Sequence, residues 1–185
     1  EHDRSKNDGT EVEVTVEKIF VSPKWNSAKI DGDAALLKLS RKLDFSGAEA
    51  HLGTACLPDA EDLDRLPSAN IDCIATGWGN TAWQGTSPNI LQKVGVKVWK
   101  QAECTSRYAA VHPITSNMLC FGENKKGTCQ GDSGGPLNCR IGNLWYNYGA
   151  TSFGVQCAGP TYPSVTGRIS EFSNWIWGVV DANSN

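Results

Sequence analysis

Hydrophobic and polar residues alternate along several short segments of the chain. In Thr10–Phe20, three valines alternate with glutamates and a threonine, and the same period of two recurs in Leu91–Trp99. This period is typical of a β-strand with one face in water. Leu144–Gly154 is a third segment rich in residues that favour strands. Because turn-forming residues separate such segments, the sequence predicts many short strands.

Helical periodicity is clear only near the C-terminus. After Ser170, apolar residues recur at spacings of three and four: Phe172, Trp175, Ile176, Val179 and Val180. This spacing places them on one face of a helix. A shorter helical turn is expected around Val98–Cys104. Together these patterns predict an all-β fold, a barrel or a sandwich, with a C-terminal helix.

Composition indicates a folded protein and argues against several classes of function. Of the 185 residues, 39% are hydrophobic and 20% are charged, as in globular rather than disordered chains. A net charge of −3 argues against a surface for nucleic acid or anionic membranes. No apolar run approaches the roughly 20 residues of a membrane span. The polar N-terminal residues are unlike a signal peptide.

Seven cysteines occur in the chain, without a Cys-x-x-Cys pair or a cluster of His and Cys. This pattern favours disulfide bonds over a zinc site, and disulfides are typical of secreted, extracellular proteins. Because seven is an odd number, at least one cysteine is either a free thiol or a link to another chain.

The segment Lys125–Cys139 contains a serine within Gly-Asp-Ser-Gly-Gly. Glycines on both sides of Ser133 let the backbone turn tightly, so that the serine projects from the loop. The backbone N–H groups of Gly131 and Ser133 could then bind the oxyanion of a tetrahedral intermediate. The alternative interpretation is a glycine-rich surface loop without a catalytic role.

Other motifs accompany this segment along the chain. In order they are DAALLKL (33–39), ACLP (55–58), CIATGWGNT (73–81), NMLCFG (117–122), GTCQGDSGGPL (127–137), TSFG (151–154) and YPSV (162–165). With the tryptophan-rich helix, they resemble the trypsin/chymotrypsin family of serine proteases over essentially the whole chain. The resemblance implies a double six-stranded antiparallel β-barrel with a C-terminal helix, and the first strands are expected on a separate chain. It divides the sequence into the remainder of the first barrel and a connector (1–58), the second barrel (59–169) and the helix (170–185).

The resemblance assigns chemical roles to three residues. Ser133 takes the position of the nucleophile, and Asp33 that of the carboxylate that supports the catalytic histidine. Taken alone, an aspartate before an apolar strand would more simply be a turn residue. Asp132 takes the position of the carboxylate that pairs with a new N-terminal amine after zymogen cleavage and thereby shapes the oxyanion hole. A buried carboxylate without a cation is costly, so a partner amine is expected.

The family's general base has no counterpart in this sequence. The three histidines, His2, His51 and His112, do not occupy the family's position, which lies well before the aspartate. The family's Ile-Val-Gly-Gly N-terminus and the disulfide beside the histidine are absent as well. We therefore expect a two-chain protease whose light chain carries the histidine. The alternatives are a catalytically inactive, protease-like binding protein and an incomplete sequence of a single-chain enzyme.

The resemblance also implies a disulfide pattern. The expected pairs are Cys73–Cys139, Cys104–Cys120 and Cys129–Cys157. Cys56 is left over, and its position in chymotrypsin-like relatives bonds a separate N-terminal peptide. Cys56 is accordingly the candidate for an interchain disulfide to the light chain. The alternative is a noncovalent pair of chains in which Cys56 is bonded elsewhere.

A substrate pocket follows from the same resemblance. Its base corresponds to Gly127, where relatives that cleave after Arg or Lys have aspartate. The other pocket positions are Thr128, Cys129, Gln130, Ser152, Phe153, Gly154 and Ser164. Because no carboxylate occurs among them, a cationic substrate side chain would be buried without a counter-charge. We expect cleavage after apolar residues.

No cofactor is expected, and calcium is the alternative to be considered. Glu1, Asp3, Asp8 and Glu11 fall in a loop that holds calcium in some relatives, and oxygen ligands suit this ion. An acidic surface loop without metal is the simpler interpretation. The expected partners are protein substrates and protease inhibitors. The arrangement is similar to that of earthworm fibrinolytic enzymes, some of which have two chains, and is equally compatible with a digestive protease.

Overall fold

The computed structural model describes residues 2–59, 73–159 and 161–184. Its elements are β1 (Val16–Val21), β2 (Ala35–Leu39), β3 (Cys73–Gly77), β4 (Gln92–Val96), α1 (Gln101–Tyr108), β5 (Met118–Phe121), β6 (Pro136–Ile141), β7 (Leu144–Phe153), β8 (Ser164–Arg168) and α2 (Ser173–Asn183). A 3₁₀ turn, Ile169–Phe172, leads into α2. The prediction of an all-β fold with a C-terminal helix is confirmed. In the described ranges, no helix is long and apolar enough to cross a membrane.

Six strands form one antiparallel sheet in the order β4–β3–β6–β7–β8–β5. The two outer strands meet, because Val98, just beyond β4, forms a bridge with Phe121 at the end of β5. Beside this bridge the Trp99 N–H donates a hydrogen bond of 2.8 Å to the Cys120 carbonyl. The sheet therefore curls and closes on itself, which satisfies the backbone groups of its outer strands.

The interior of this barrel is filled by large side chains from neighbouring strands. Leu119, Phe121, Leu137 and Tyr148 are all fully buried in one cluster. All five residues of β8 are buried as well. Burial of this kind supplies most of the free energy that stabilises a domain. The barrel is thus a rigid support for the loops at its ends.

Helix α1 packs against β5 in a second cluster. Cys104 of α1 forms a disulfide with Cys120 of β5, and the Tyr108 hydroxyl donates to the Pro163 carbonyl at 2.5 Å. Burial raises the pKa of Tyr108 to about 12. The helix begins later than the predicted Val98–Cys104, because the backbone at its expected start is used to close the barrel.

Strands β1 and β2 form a separate two-stranded sheet. Ile19 lies opposite Leu37, and Val21 lies opposite Ala35, so these apolar side chains share one face. Ile19, Val21 and Leu37 are 61%, 58% and 57% exposed. A two-stranded sheet is marginal on its own. Nothing in the described part of the chain covers this face, which we call the β1–β2 face.

The strand predicted at Thr10 begins only at Val16. The preceding residues bond their polar groups locally, because the Glu11 carboxylate accepts hydrogen bonds from the N–H groups of Asp8 and Gly9. The division at residues 58 and 59 stays a prediction, since residues 60–72 lie outside the described ranges.

Asp31 connects the N-terminal segment to the barrel. Its Oδ1 accepts hydrogen bonds from Thr115 Oγ1 (2.6 Å), from Asn117 Nδ2 (3.0 Å) and from the backbone N–H of the next residue, Gly32 (2.9 Å). Partial burial raises the pKa of the Asp31 carboxyl, but these hydrogen bonds outweigh burial and leave the pKa below its ordinary 3.8. The network fixes the segment that leads to Asp33.

Replacing Asp31 with alanine should lower the free energy of unfolding by about 2 kcal/mol at pH 7, because two side-chain donors lose their acceptor. Asp181→Ala on α2 is the control and should change it by less than about 0.5 kcal/mol. Because the folded-state pKa is lowered, the Asp31 contribution is present above the unfolded pKa and is lost as the pH falls through the folded pKa. Urea unfolding at pH 7 and at low pH measures this effect. The difference in free energy of unfolding between the wild type and Asp31→Ala should be smaller at low pH than at pH 7. Equal stabilities at pH 7 would contradict this role.

Candidate active site

Ser133 lies exposed in the loop that precedes β6. Two glycines beside it, Gly131 and Gly134, have left-handed φ angles of 96° and 78°, which side chains with a Cβ rarely adopt. Turns on both sides close with hydrogen bonds from the Asp132 N–H to the Cys129 carbonyl (3.0 Å) and from Gly135 N–H to the Asp132 carbonyl (2.8 Å). Local backbone geometry therefore presents the hydroxyl at the surface.

Two backbone donors of this loop are unused. The N–H groups of Gly131 and Ser133 have no hydrogen-bond acceptor among the residues that the structure describes. Unpaired N–H groups beside an exposed serine are suited to bind a developing negative charge. The expected oxyanion site is thus made of donors available to a ligand.

The Asp132 side chain is half-buried and is held by the backbone of two segments. Its Oδ1 accepts a hydrogen bond from the Gly79 N–H (2.8 Å), and its Oδ2 accepts one from the Cys129 N–H (2.9 Å). A Cβ on Gly77 would lie 2.0 Å from Oδ1 of Asp132, and one on Gly79 would lie 2.5 Å from its Cγ. These glycines are required because the carboxylate occupies the space of a side chain.

Asp132 also borders a cavity of about 220 Å³. Lys93 and Lys125 line the same cavity, yet no cation of the described residues forms an ion pair with the carboxylate. The two N–H donors stabilise its charge only in part. The cavity is therefore a suitable place for an additional cationic group.

Asp33 is linked by Ser152 to a second cavity, which Ser133 lines. The Ser152 hydroxyl donates a hydrogen bond of 2.6 Å to Asp33 Oδ2. Ser152 also lines a cavity of about 180 Å³ together with Ser133. The half-buried Asp33, which lies just before β2, is thereby held beside the cavity that contains the serine.

The cavity beside Ser133 has neutral walls. It includes six of the predicted pocket residues: Thr128, Cys129, Gln130, Ser152, Phe153 and Gly154. Three further lining residues were not predicted as pocket residues: Trp83, Thr151 and Cys157. The absence of charge among these walls suits an apolar side chain better than a charged one.

Two predicted pocket residues lie behind this cavity instead of lining it. Ser164 is fully buried, and its hydroxyl accepts a hydrogen bond of 3.1 Å from the Thr128 N–H. Gly127 borders the cavity of Asp132. A Cβ on Gly127 would lie 2.4 Å from Ala158 Cβ and 2.6 Å from Ser164 Oγ. These residues support the pocket wall from the protein interior.

The histidines lie elsewhere. His51 is exposed with Nε2 2.8 Å from the Thr10 carbonyl oxygen, and His112 has Nε2 2.7 Å from the Lys29 carbonyl oxygen. The His112 ring packs 4.7 Å from the Phe153 ring, outside the cavity. Among the described residues, no histidine lines the cavity of about 180 Å³ beside Ser133 or the larger one, of about 670 Å³, which Ser133 borders together with Gly131 and Trp78.

The cysteines form three bridges: Cys73–Cys139, Cys104–Cys120 and Cys129–Cys157. Cys56 is free and half-buried, and its backbone pairs with β7 through the Trp145 carbonyl. Glu1 of the acidic loop lies outside the described residues. In the described part of the chain, no group of three or more His, Cys, Asp or Glu is arranged to hold a metal.

A family model described as Trypsin matches residues 1–176. The chain is 36% identical to "Trypsin" of Xenopus laevis, with 99% of this chain and 70% of that protein covered. It is 39% identical to "Trypsin-1" of Astacus astacus, over 95% and 71% of the two chains. It is 37% identical to "Putative trypsin-6" of Homo sapiens, over 100% and 70%.

The chain belongs to the trypsin family of serine endopeptidases. Membership agrees with the fold, because the matched residues include the whole six-stranded barrel. It also gives the exposed Ser133 a chemical context that a glycine-rich loop alone does not have.

Gly127→Ala should lower the free energy of unfolding by about 1–3 kcal/mol, since the added methyl group would overlap Ala158 and Ser164. Gly95→Ala in β4 is the matched control, because a Cβ there meets no atom within 4 Å. Urea unfolding of both variants measures the difference. If the two substitutions have equal effects, the tight packing behind the pocket is refuted.

Proposed function

We propose that this chain is the serine- and aspartate-bearing part of an extracellular serine endopeptidase that is completed by a second polypeptide. The observation that carries this proposal is the hydrogen bond from Ser152 to Asp33, because Ser152 lines the cavity of Ser133. It brings a carboxylate and an exposed serine to one cleft. A histidine between them would complete a catalytic triad.

The proposed mechanism is acyl transfer. Ser133 Oγ attacks the peptide carbonyl while the histidine takes its proton, and the same histidine then protonates the leaving amine. Asp33 orients this histidine and stabilises its charged form. The N–H groups of Gly131 and Ser133 bind the oxyanion, and water later hydrolyses the acyl-enzyme.

Three features support a second polypeptide that carries this histidine. The β1–β2 face exposes a row of apolar side chains that a further strand would cover. The cavity at Asp132 suits a terminal amine. Cys56 is a free thiol beside β7, available to bond that polypeptide. The three bridges within this chain support an oxidising, extracellular location.

The neutral cavity supports cleavage after apolar residues. Gly127 provides no carboxylate, and the packing around it leaves no room for one. Proteins with exposed Phe, Leu or Ala residues are therefore the proposed substrates, and fibrin and dietary proteins both fit this description. Protease inhibitors that present such residues are the proposed regulatory partners. Calcium is not part of the proposed mechanism.

The native protein should hydrolyse p-nitroanilide substrates ending in Phe or Leu faster than those ending in Arg. A serine-directed phosphonate should label Ser133. Ser133→Ala should abolish hydrolysis, and Asp33→Asn should lower kcat about 10⁴-fold because the histidine loses its orienting carboxylate. Asp181→Ala is the control and should keep full activity. A wild-type protein that neither hydrolyses nor reacts with phosphonate would contradict the proposed activity and favour the alternative of an inactive binding protein. Faster turnover of Arg substrates would overturn the pocket assignment.

Mass measurement should show a native species heavier than 20.0 kDa that releases this chain on reduction. In Cys56→Ser, the two polypeptides should separate without reductant, because the bond between the chains is removed. The control is Ser184→Cys in a chain that keeps Cys56. It should not change which chain is released on reduction. A single 20.0 kDa species under both conditions refutes the interchain disulfide, and one that also fails to react with the phosphonate refutes the two-chain enzyme. One longer chain that contains Glu1 internally refutes the two-chain form and leaves the catalytic assignment intact.

A further inference from the structure

One tryptophan lies beside the exposed serine without a role in the fold. Trp83 lines the cavity of Ser133 together with Phe153 and the Cys129–Cys157 disulfide. The residue is 48% exposed. In the described part of the chain, no aromatic ring or cation stacks on its indole. Its apolar surface is therefore available to a molecule that occupies the cavity.

The loop that carries Trp83 is fixed relative to the pocket. The Asn80 N–H donates a hydrogen bond of 2.8 Å to the carbonyl of Gln130, which is itself a pocket residue. At the tip, the Gly85 N–H donates to the Ala82 carbonyl at 2.9 Å, so Trp83 occupies the second position of a tight turn. The turn holds the indole at the cavity while the Asn80 bond anchors the loop base.

The size and chemistry of the cavity suit an aromatic ring. Its volume of about 180 Å³ exceeds the roughly 150 Å³ of an apolar protein cavity that accommodates benzene. Its walls are neutral, and two of them, Trp83 and Phe153, are aromatic. Aromatic rings attract one another through offset or edge-to-face contacts beyond the effect of buried area.

We propose that Trp83 is a specificity-determining residue whose indole forms the outer wall of the pocket and selects an aromatic side chain immediately before the cleaved bond. This inference rests on the proposed function, because it takes the cavity beside Ser133 as the site of that side chain. It narrows the substrate class from apolar residues in general to aromatic ones.

The test compares Trp83→Ala with Trp83→Phe in the complete protease, including any polypeptide that copurifies with this chain. The matched control is Trp177→Ala, because Trp177 is 49% exposed and lies on the distant helix α2. The first readout is the ratio of kcat/KM for p-nitroanilide substrates ending in Phe and in Ala. The second is the affinity for indole, measured by equilibrium dialysis, which does not depend on catalysis.

Trp83→Ala should lower the Phe-to-Ala ratio about tenfold, whereas Trp83→Phe should lower it by less than about threefold, since it keeps a ring. Trp177→Ala should leave the ratio unchanged. An unchanged ratio in Trp83→Ala overturns the inference. If even the wild type hydrolyses nothing, the proposed function fails and indole binding decides the inference separately. If Trp83→Ala then binds indole about tenfold more weakly than the wild type, the result supports Trp83 as a wall of the pocket. Equal affinity for indole overturns the inference.

Discussion

The arrangement of the candidate site depends on the carboxylate of Asp132. Its two oxygens bind the N–H groups of Gly79 and Cys129, which belong to different loops. Asp132 lies between the two residues whose N–H groups remain unpaired, Gly131 and Ser133. A shift of this carboxylate would therefore move both donors together. One carboxyl side chain thus links the serine loop to the loop after β3.

The pocket beside Ser133 is built in two layers. Its surface is formed by neutral residues, and behind them the buried Ser164 hydroxyl holds the Thr128 N–H. Gly127 packs so closely against Ala158 and Ser164 that no room is left between them for a methyl group. Interiors packed to this density respond to the loss or gain of a single methyl group. Residues that do not line the cavity beside Ser133 consequently contribute to its shape.

Sequence periodicity predicted two strands of the barrel closely. Leu144–Gly154 corresponds closely to β7, and Leu91–Trp99 contains β4. The strand predicted from Thr10 was wrong at its start, because the Glu11 side chain accepts hydrogen bonds from nearby backbone groups and β1 begins only at Val16. The start of α1 was also predicted too early, since Trp99 bonds across to β5. The first contact is a local side-chain competitor of the strand, and the second joins segments about twenty residues apart; the alternation of apolar and polar residues encodes neither.

The candidate site was predictable to a similar extent. Gly131 and Ser133 follow from a local glycine pattern and a family resemblance, which also indicated most of the pocket wall. Trp83 did not follow, because its place at the cavity depends on a hydrogen bond between Asn80 and Gln130, fifty residues apart in the sequence. The supporting positions of Gly127 and Ser164 depend on three-dimensional packing in the same way.

The exposed β1–β2 face has a consequence for how the protein must be made. Ile19, Val21 and Leu37 form an apolar surface on a short sheet that has two unpaired edges within the described ranges. Surfaces of this kind recruit strands from other molecules and cause aggregation. Synthesis of this chain by itself would place that surface in water throughout folding. Recombinant production of this chain by itself is therefore expected to give insoluble material.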